Sequence, residues 1–256
     1  MKLIDTHTHL YSEEFDEDRN VVIDRALQIG VERFYLPSIN SSYYLKMKQL
    51  KAEYPDNIFL MMGLHPCDVK PDSYGRELAF VEQKLKEEPF AAVGEIGIDL
   101  YWDSSTLEIQ QKAFRQQIRW AKEYKLPINI HIRNSFDEVF EILEEEKSPD
   151  LYGIFHCFGG TLEQAKHAVD LGFSLGIGGV VTFKNGKIDQ FLREIPLQSL
   201  VLETDSPYLA PVPHRGKRNE SGYISLVAEK LSDIYHILPE EIAKITTENA
   251  LKIYKL

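Results

Sequence analysis

Short runs of apolar, β-branched residues recur along the chain, separated by stretches whose apolar positions fall at helical spacing. Eight runs stand out, at residues 2–6, 31–37, 58–64, 90–94, 127–131, 153–156, 172–177 and 200–204. Most are nearly continuous in apolar character, as expected of strands buried on both faces of a parallel sheet. Amphipathic segments lie between most of them. Residues 16–28 place Val21, Val22, Asp24 and Arg25 around one helix that ends at Gly30. Segment 41–54 stops before Pro55, 74–88 before Pro89, and 106–124 shortly before Pro127. Segment 135–146 carries Phe136, Val139, Phe140 and Leu143 at helical spacing and is followed by Ser148-Pro149. Segment 161–171 opens on Thr161, a fitting N-cap, and closes at Gly172. Residues 223–236 and 239–254 read as closing helices.

Strands alternating with helices predict parallel βα units, and eight such units in this length predict an α/β protein of one domain, a (β/α)₈ TIM barrel over residues 1–256. A doubly wound sheet is the competing architecture. It usually carries a Gly-rich phosphate turn after the first strand, where this chain has Asp5-Thr6-His7-Thr8-His9 instead. The longest stretch without periodicity is 206–222, rich in Pro, Gly and basic residues.

Composition narrows the setting. No run reaches the length of a membrane span, and the N-terminal MKLIDTHTHL lacks a signal-peptide pattern, so a cytoplasmic protein is expected. Two cysteines, Cys67 and Cys157, exclude a disulfide framework and a four-cysteine zinc site. Without a secretion signal, the sequons at Asn40 and Asn219 are read as chance. The net charge of −11 argues against a protein that coats duplex nucleic acid. A phosphodiester substrate would have to be held locally. Surface aromatics such as Tyr43-Tyr44 are too scattered to mark an interface, and a monomer is the expectation.

The active site of a parallel barrel lies at the C-terminal ends of its strands. His7 and His9 follow the first run, His65 ends the third, Glu95 follows the fourth, His131 and His156 end the fifth and sixth, and Asp205 follows the eighth. His-x-His at a strand end projects two imidazoles into one space, but alone it is only half a site. Four histidines (His7, His9, His131, His156) with Glu95 and Asp205 exceed the needs of one ion and suit a pair about 3.5–4 Å apart, bridged by a carboxylate. Glu95, between the two groups of histidines in barrel order, is the expected bridge. Asp205 is both a ligand and a nearby base; these two carboxylates are the expected catalytic pair. The mixed N/O donor set admits zinc, iron, nickel and cobalt as well as magnesium and manganese.

These residues carry a resemblance. Ile4-Asp5-Thr6-His7-Thr8-His9, Gly63-Leu64-His65-Pro66, Val93-Gly94-Glu95-Ile96-Gly97-Ile98-Asp99, Ile130-His131, Phe155-His156-Cys157-Phe158, the segment from Leu202-Glu203-Thr204-Asp205 to Leu209, and Pro213-His214-Arg215-Gly216-Lys217-Arg218-Asn219-Glu220 resemble the TatD-type metal-dependent deoxyribonucleases, within the amidohydrolase-like metal barrels. The resemblance implies one divalent ion on His7, His9, Glu95 and Asp205 and a second on Glu95, His131 and His156. It implies hydrolysis of DNA phosphodiesters, trimming single strands or frayed ends from the 3′ end, with Mg²⁺ or Mn²⁺ expected in activity. His65 is not a ligand in that pattern and is assigned to substrate binding. Two positions depart from the pattern: Cys67, where a His or acid is expected, and Ser221, where Pro is expected. Neither is a ligand, so they bear on substrate preference.

Other residues fall around this frame. His214 and Arg215, in a basic loop with Lys217 and Arg218, are expected to contact phosphate, as is Arg133, two residues past His131. Glu203 either orients a ligand or makes a structural hydrogen bond. Tyr101-Trp102 would stack bases or pack the loop. Alternation makes Cys157, next to His156, an outward buried thiol. Gly172-Phe173-Ser174-Leu175-Gly176 matches G-x-S-x-G, but Ser174 falls inside an expected strand rather than a nucleophile elbow. The alternative within the same barrel is an amidohydrolase or lactonase cutting C–N or C–O bonds. Many of those bridge their ions with a modified lysine, and Glu95 takes that place here. A PHP-type phosphoesterase needs more His and Asp ligands than the chain offers, and the complete ligand set argues against a purely binding barrel.

Overall fold

The computed structural model describes residues 1–255. The eight runs form β1 (Leu3–Asp5), β2 (Val31–Leu36), β3 (Ile58–Met62), β4 (Ala92–Asp99), β5 (Ile128–Arg133), β6 (Gly153–Phe155), β7 (Phe173–Ile177) and β8 (Leu200–Leu202). Neighbouring strands pair in parallel and in chain order. The ring closes between β8 and β1, where the Thr6 N–H and hydroxyl donate to Leu202 O at 3.1 and 3.0 Å. This is the (β/α)₈ TIM barrel that the alternation predicts.

Around it lie α1 (Arg19–Gln28), α2 (Tyr44–Glu53), α3 (Tyr74–Glu87), α4 (Leu107–Tyr124), α5 (Phe136–Glu145), α6 (Leu162–Asp170), α7 (Ile224–Tyr235) and α8 (Pro239–Ile253). Thr161 caps α6 through a reciprocal capping box with Gln164. The seventh unit departs from the regular pattern: β7 and β8 are joined by short 3-10 turns, and both α7 and α8 follow β8. No described helix is long and apolar enough to cross a membrane.

Alternate residues of each strand feed two cores. Outward side chains such as Phe34, Val93, Ile130 and Leu175 pack in one core with the helices. A second core gathers Ile4, Tyr35, Met61, Ala92, Ile154 and Val201, and α8 and its C-cap add Ala250 and Tyr254 to it. The Tyr254 ring stacks on Tyr35 at 3.7 Å. This core fills the lower end of the barrel. Further along the inward rows the side chains turn polar, as Asn129 and His131 do on β5.

The fourth strand corrects the sequence expectation. It runs on to Asp99, so Glu95 lies within it rather than after it. The pairing passes from Val93↔Ile128 to Ile96↔Ile130, so Gly94 and Glu95 together oppose Asn129 alone. Such a bulge re-aims a side chain, and Glu95 enters the barrel only 2% exposed. Gly94 has no room for a side chain, since a Cβ there would lie 2.7 Å from Asn129 Cβ.

Candidate metal centre

The two oxygens of Glu95 divide the histidines. Oε2 faces His7 Nε2 at 3.3 Å and His9 Nε2 at 3.8 Å. Oε1 faces His131 Nδ1 at 2.8 Å and His156 Nε2 at 3.1 Å. Asp205 Oδ1 completes the first group, 3.6 Å from His7 Nε2 and 3.4 Å from His9 Nε2. The groups abut, with the His7 and His156 rings stacked at 3.8 Å. The chain thus brings all six expected ligands together.

Each of these imidazoles is also held from behind. His7 Nδ1 meets Asn129 Oδ1 at 2.8 Å, His131 Nε2 meets Asp99 Oδ2 at 2.9 Å, and His156 Nδ1 meets Glu203 Oε1 at 3.3 Å. His9 Nδ1 meets the Tyr11 hydroxyl at 2.8 Å, while that hydroxyl donates to Pro37 O. Every one of these partners accepts, so each outer nitrogen carries the proton and each inner nitrogen presents a lone pair. His7 Nε2 and His9 Nε2 then face one another 3.1 Å apart as two bare lone pairs beside two carboxylates. That contact is repulsive unless positive charge lies between the atoms, so the residues present fit a divalent cation. His7, His9 and Glu95 form one compact donor group, and His7, His156 and Asp205 another.

The electrostatics point the same way. Burial alone would push the Glu95 carboxyl up, but the imidazoles of His156, His65 and His7 hold it well below its usual range. Burial opposes a charged His156, yet Glu95 and Glu203 raise it well above its ordinary value. With no ion between the groups, that charge is a second proton on His156 Nε2, in the place a cation would take, so both shifts describe a centre that stabilises positive charge.

His65 differs from the other histidines. Its Nε2 lies 3.4 Å from Glu95 Oε1 and 3.3 Å from His131 Nδ1, close enough to form a third donor group. However, its Nδ1 accepts the Cys67 N–H at 3.1 Å. The proton therefore sits on Nε2, and burial lowers the pKa and keeps the ring neutral. His65 offers the centre an N–H donor where the other four offer lone pairs.

A cavity of about 700 Å³ opens above the centre. Arg133 lines it, with its guanidinium 3.6 Å from the Tyr101 ring and 5.3 Å from that of Trp102. Both aromatics are exposed. Glu203 is fully buried behind His156, and a Cβ on Gly176 would lie 2.1 Å from its Oε2. Asp205 adopts the left-handed region (φ 56°), which costs a non-glycine residue about 1 kcal/mol. Its N–H donates to His7 O at 2.9 Å.

His214 and Arg215 do not line this cavity. His214 stacks on Tyr223 at 4.0 Å, and Arg215 lies over Phe183 at 4.1 Å. Cys157 corrects the alternation argument. Strand β6 ends at Phe155, the chain turns through a left-handed Cys157 (φ 46°), and the residue lines the cavity. Burial and nearby carboxylates push its thiol well above the usual range, and burial pushes Cys67 up to about 12, so neither is a thiolate nucleophile. Ser174 lies inside β7 as expected.

Asn129, Asp99 and Tyr11 are site residues that the sequence reading missed. Strand periodicity carried a signal for two of them. Asn129 is two residues before His131 on β5, and Asp99 is four after Glu95 on β4, so each shares the ligand's face.

Comparison with known proteins places the chain among metal-dependent hydrolases. The TatD related DNase family matches residues 4–255. The chain is 41% identical over 255 residues to an uncharacterized metal-dependent hydrolase of Bacillus subtilis (strain 168), covering 99% of each. It is 34% identical over 260 residues to the uncharacterized metal-dependent hydrolase YcfH of Escherichia coli (strain K12), covering 100% of this chain and 97% of that one. The crystal structure of the TatD homologue YjjV from Escherichia coli K12 superposes with a TM-score of 0.93 at 30% identity, over 99% of this chain and 98% of the other. On the family match over residues 4–255 and relatives of up to 41% identity over nearly the full length, the chain belongs to the TatD family of metal-dependent hydrolases.

Proposed function

We propose that the protein is a deoxyribonuclease that hydrolyses DNA phosphodiesters and trims single strands from the 3′ end. The observation that carries this reading is the division of ligands across Glu95. One ion would be held by His7, His9, Glu95 and Asp205, and a second by Glu95, His131 and His156. Divalent ions bound there bring the pKa of water towards neutrality and stabilise charge developing on a phosphate. The chain's own residues do the rest. Asp205, whose side chain is 12% accessible, turns Oδ1 to the ligands and leaves Oδ2 to take the proton of the attacking water. His65 Nε2–H donates to a phosphate oxygen, and Arg133 pairs with a flanking phosphate. Tyr101 and Trp102 offer faces on which a base stacks.

The 3′ polarity and the choice of Mg²⁺ or Mn²⁺ rest on family likeness. We further read the protein as a cytoplasmic monomer.

The test incubates metal-loaded protein with 5′-labelled single-stranded DNA. Mononucleotides should be released and the labelled strand shortened stepwise, with Asp205→Asn slower by about 100-fold or more. No product with Mg²⁺, Mn²⁺, Co²⁺ or Zn²⁺, and identical behaviour of Asp205→Asn, would overturn the reading.

A further inference from the structure

Four cations on two loops at the barrel mouth have no part in the chemistry above. Lys184 and Lys187 follow β7, Arg215 and Lys217 follow β8, and all four are exposed. Among the described residues none has a carboxylate within ion-pair distance. The nearest acids in sequence are engaged elsewhere: Asp189 pairs with Lys230, Glu194 with Lys166 and Glu220 with Arg25, and Asp18 takes the neighbouring Arg218 in a two-pronged bond at 2.8 and 2.7 Å.

The two loops are fastened together. Thr182 Oγ1 accepts the Val212 N–H at 2.9 Å, and Asn185 Oδ1 accepts from Arg215 at 3.1 Å. The Arg215 guanidinium lies over the Phe183 ring. Tyr208 and Leu209 line the cavity, so the second loop runs from the cavity on to Arg215 and Lys217. On the other side of β8, the loop after β1 carries Glu13, Glu14, Asp16, Glu17 and Asp18 and repels a polyanion. Four uncompensated cations on one ledge contrast with a chain of net charge −11. Loops after the seventh and eighth strands of a barrel are a frequent phosphate site.

We propose that Lys184, Lys187, Arg215 and Lys217 form a ledge that holds the phosphate backbone of a single-stranded polynucleotide outside the cavity, several nucleotides from the bond being cleaved. The inference rests on the nuclease reading and adds to it a length preference. Long strands gain affinity from the ledge, and strands that fit within the cavity do not.

The test measures binding of fluorescein-labelled phosphorothioate oligo-dT to the Mg²⁺-loaded protein by anisotropy, with an 18-mer and a 3-mer, over a range of salt. Lys184→Glu/Lys187→Glu should weaken the 18-mer about tenfold or more and leave the 3-mer within about twofold. Losing two phosphate contacts should lower the slope of log affinity against log salt by about 1.4. Lys244→Glu/Lys252→Glu, the same charge change on α8, should leave both oligonucleotides bound as in the parent. An oligo-U 18-mer should show the same loss, since the backbone is what is held. Unchanged 18-mer affinity in Lys184→Glu/Lys187→Glu, an equal loss for the 3-mer, or an equal loss in the α8 variant would overturn the ledge. Thermal melting of each variant shows that the fold is retained. Nuclease failure is distinct, because it appears as absent hydrolysis of ordinary DNA whatever the binding data show.

Discussion

Glu203 stands directly behind His156, its Oε1 3.3 Å from His156 Nδ1 while also accepting the Cys157 N–H at 2.6 Å. One buried oxygen thus fixes the ring's tautomer and the turn that follows it. Groups that hold a ligand from behind are worth about 10- to 100-fold in metal affinity or activity. Glu203→Ala should therefore weaken binding at the group formed by Glu95, His131 and His156 by that factor, measured by chelator competition. Gly176→Ala, which drives a methyl into Glu203 Oε2, should reproduce the defect. Unchanged affinity in both variants would reduce Glu203 to a structural role.

Asp99 acts in two directions. Its Oδ2 holds His131, and its Oδ1 accepts the N–H groups of Tyr101 and Trp102 at 2.9 and 3.2 Å. Burial would raise its pKa, but His131 and these donors bring it down to about 2, so it is a carboxylate at any working pH. Asp99→Ala should lower metal affinity about 10- to 100-fold and also alter Trp102 fluorescence by freeing its loop. A loss of metal with unaltered Trp102 emission would separate the two roles and contradict the coupling.

His65 should behave as a donor to substrate rather than as a ligand. His65→Ala is expected to reduce kcat/KM for DNA by about 10- to 100-fold, the worth of a hydrogen bond to a charged group of about 1.5–3 kcal/mol. Its metal content should equal the parent's by elemental analysis. Loss of an ion in this variant would make His65 a ligand after all.

Away from the site, Glu146 gives a pH signature for the fold. It accepts from Arg119 at 3.0 Å and from Lys122 at 2.6 Å. Burial alone would raise its pKa, but those hydrogen bonds lower it below the usual 4.5. A lowered folded-state pKa means stability that is present above the unfolded value and lost as pH falls through the folded one. Partly exposed partners limit the effect, so Glu146→Gln should cost about 0.5–1 kcal/mol at pH 7. That difference should shrink as pH falls below 4.5, measured by urea unfolding at several pH values. A difference that is constant with pH would rule out the ion pair as its cause.

Much of this architecture could be read in the chain because strands buried on both faces must be apolar. The run at 31–37 became β2 (Val31–Leu36) almost unchanged. His7, His9, His156 and Asp205 were readable because they lie just beyond strand ends, where apolar runs stop. The reading failed where local pattern and tertiary need diverge. Gly94 and Gly97 look like strand breakers, yet β4 continues through both, and Glu95 enters the barrel through a bulge that no periodicity announces. His214 and Arg215 lie on a loop outside the cavity for a related reason. Loop residues carry no period, so their basic character gave the chemistry of the loop but not its course. Tyr11 was invisible because its role depends on Pro37 O, a backbone atom on another segment.

Glu95 turns Oε2 to His7 and His9 and Oε1 to His131 and His156, and so would take part in holding two ions. Counting divalent ions by elemental analysis on protein dialysed against Mn²⁺ tests it most directly. The parent should hold about two ions per chain. His7→Ala should hold about one, and Glu95→Ala less than one, with both variants still folded by circular dichroism. A parent that holds a single ion, or a Glu95→Ala variant that still holds two, would contradict the account.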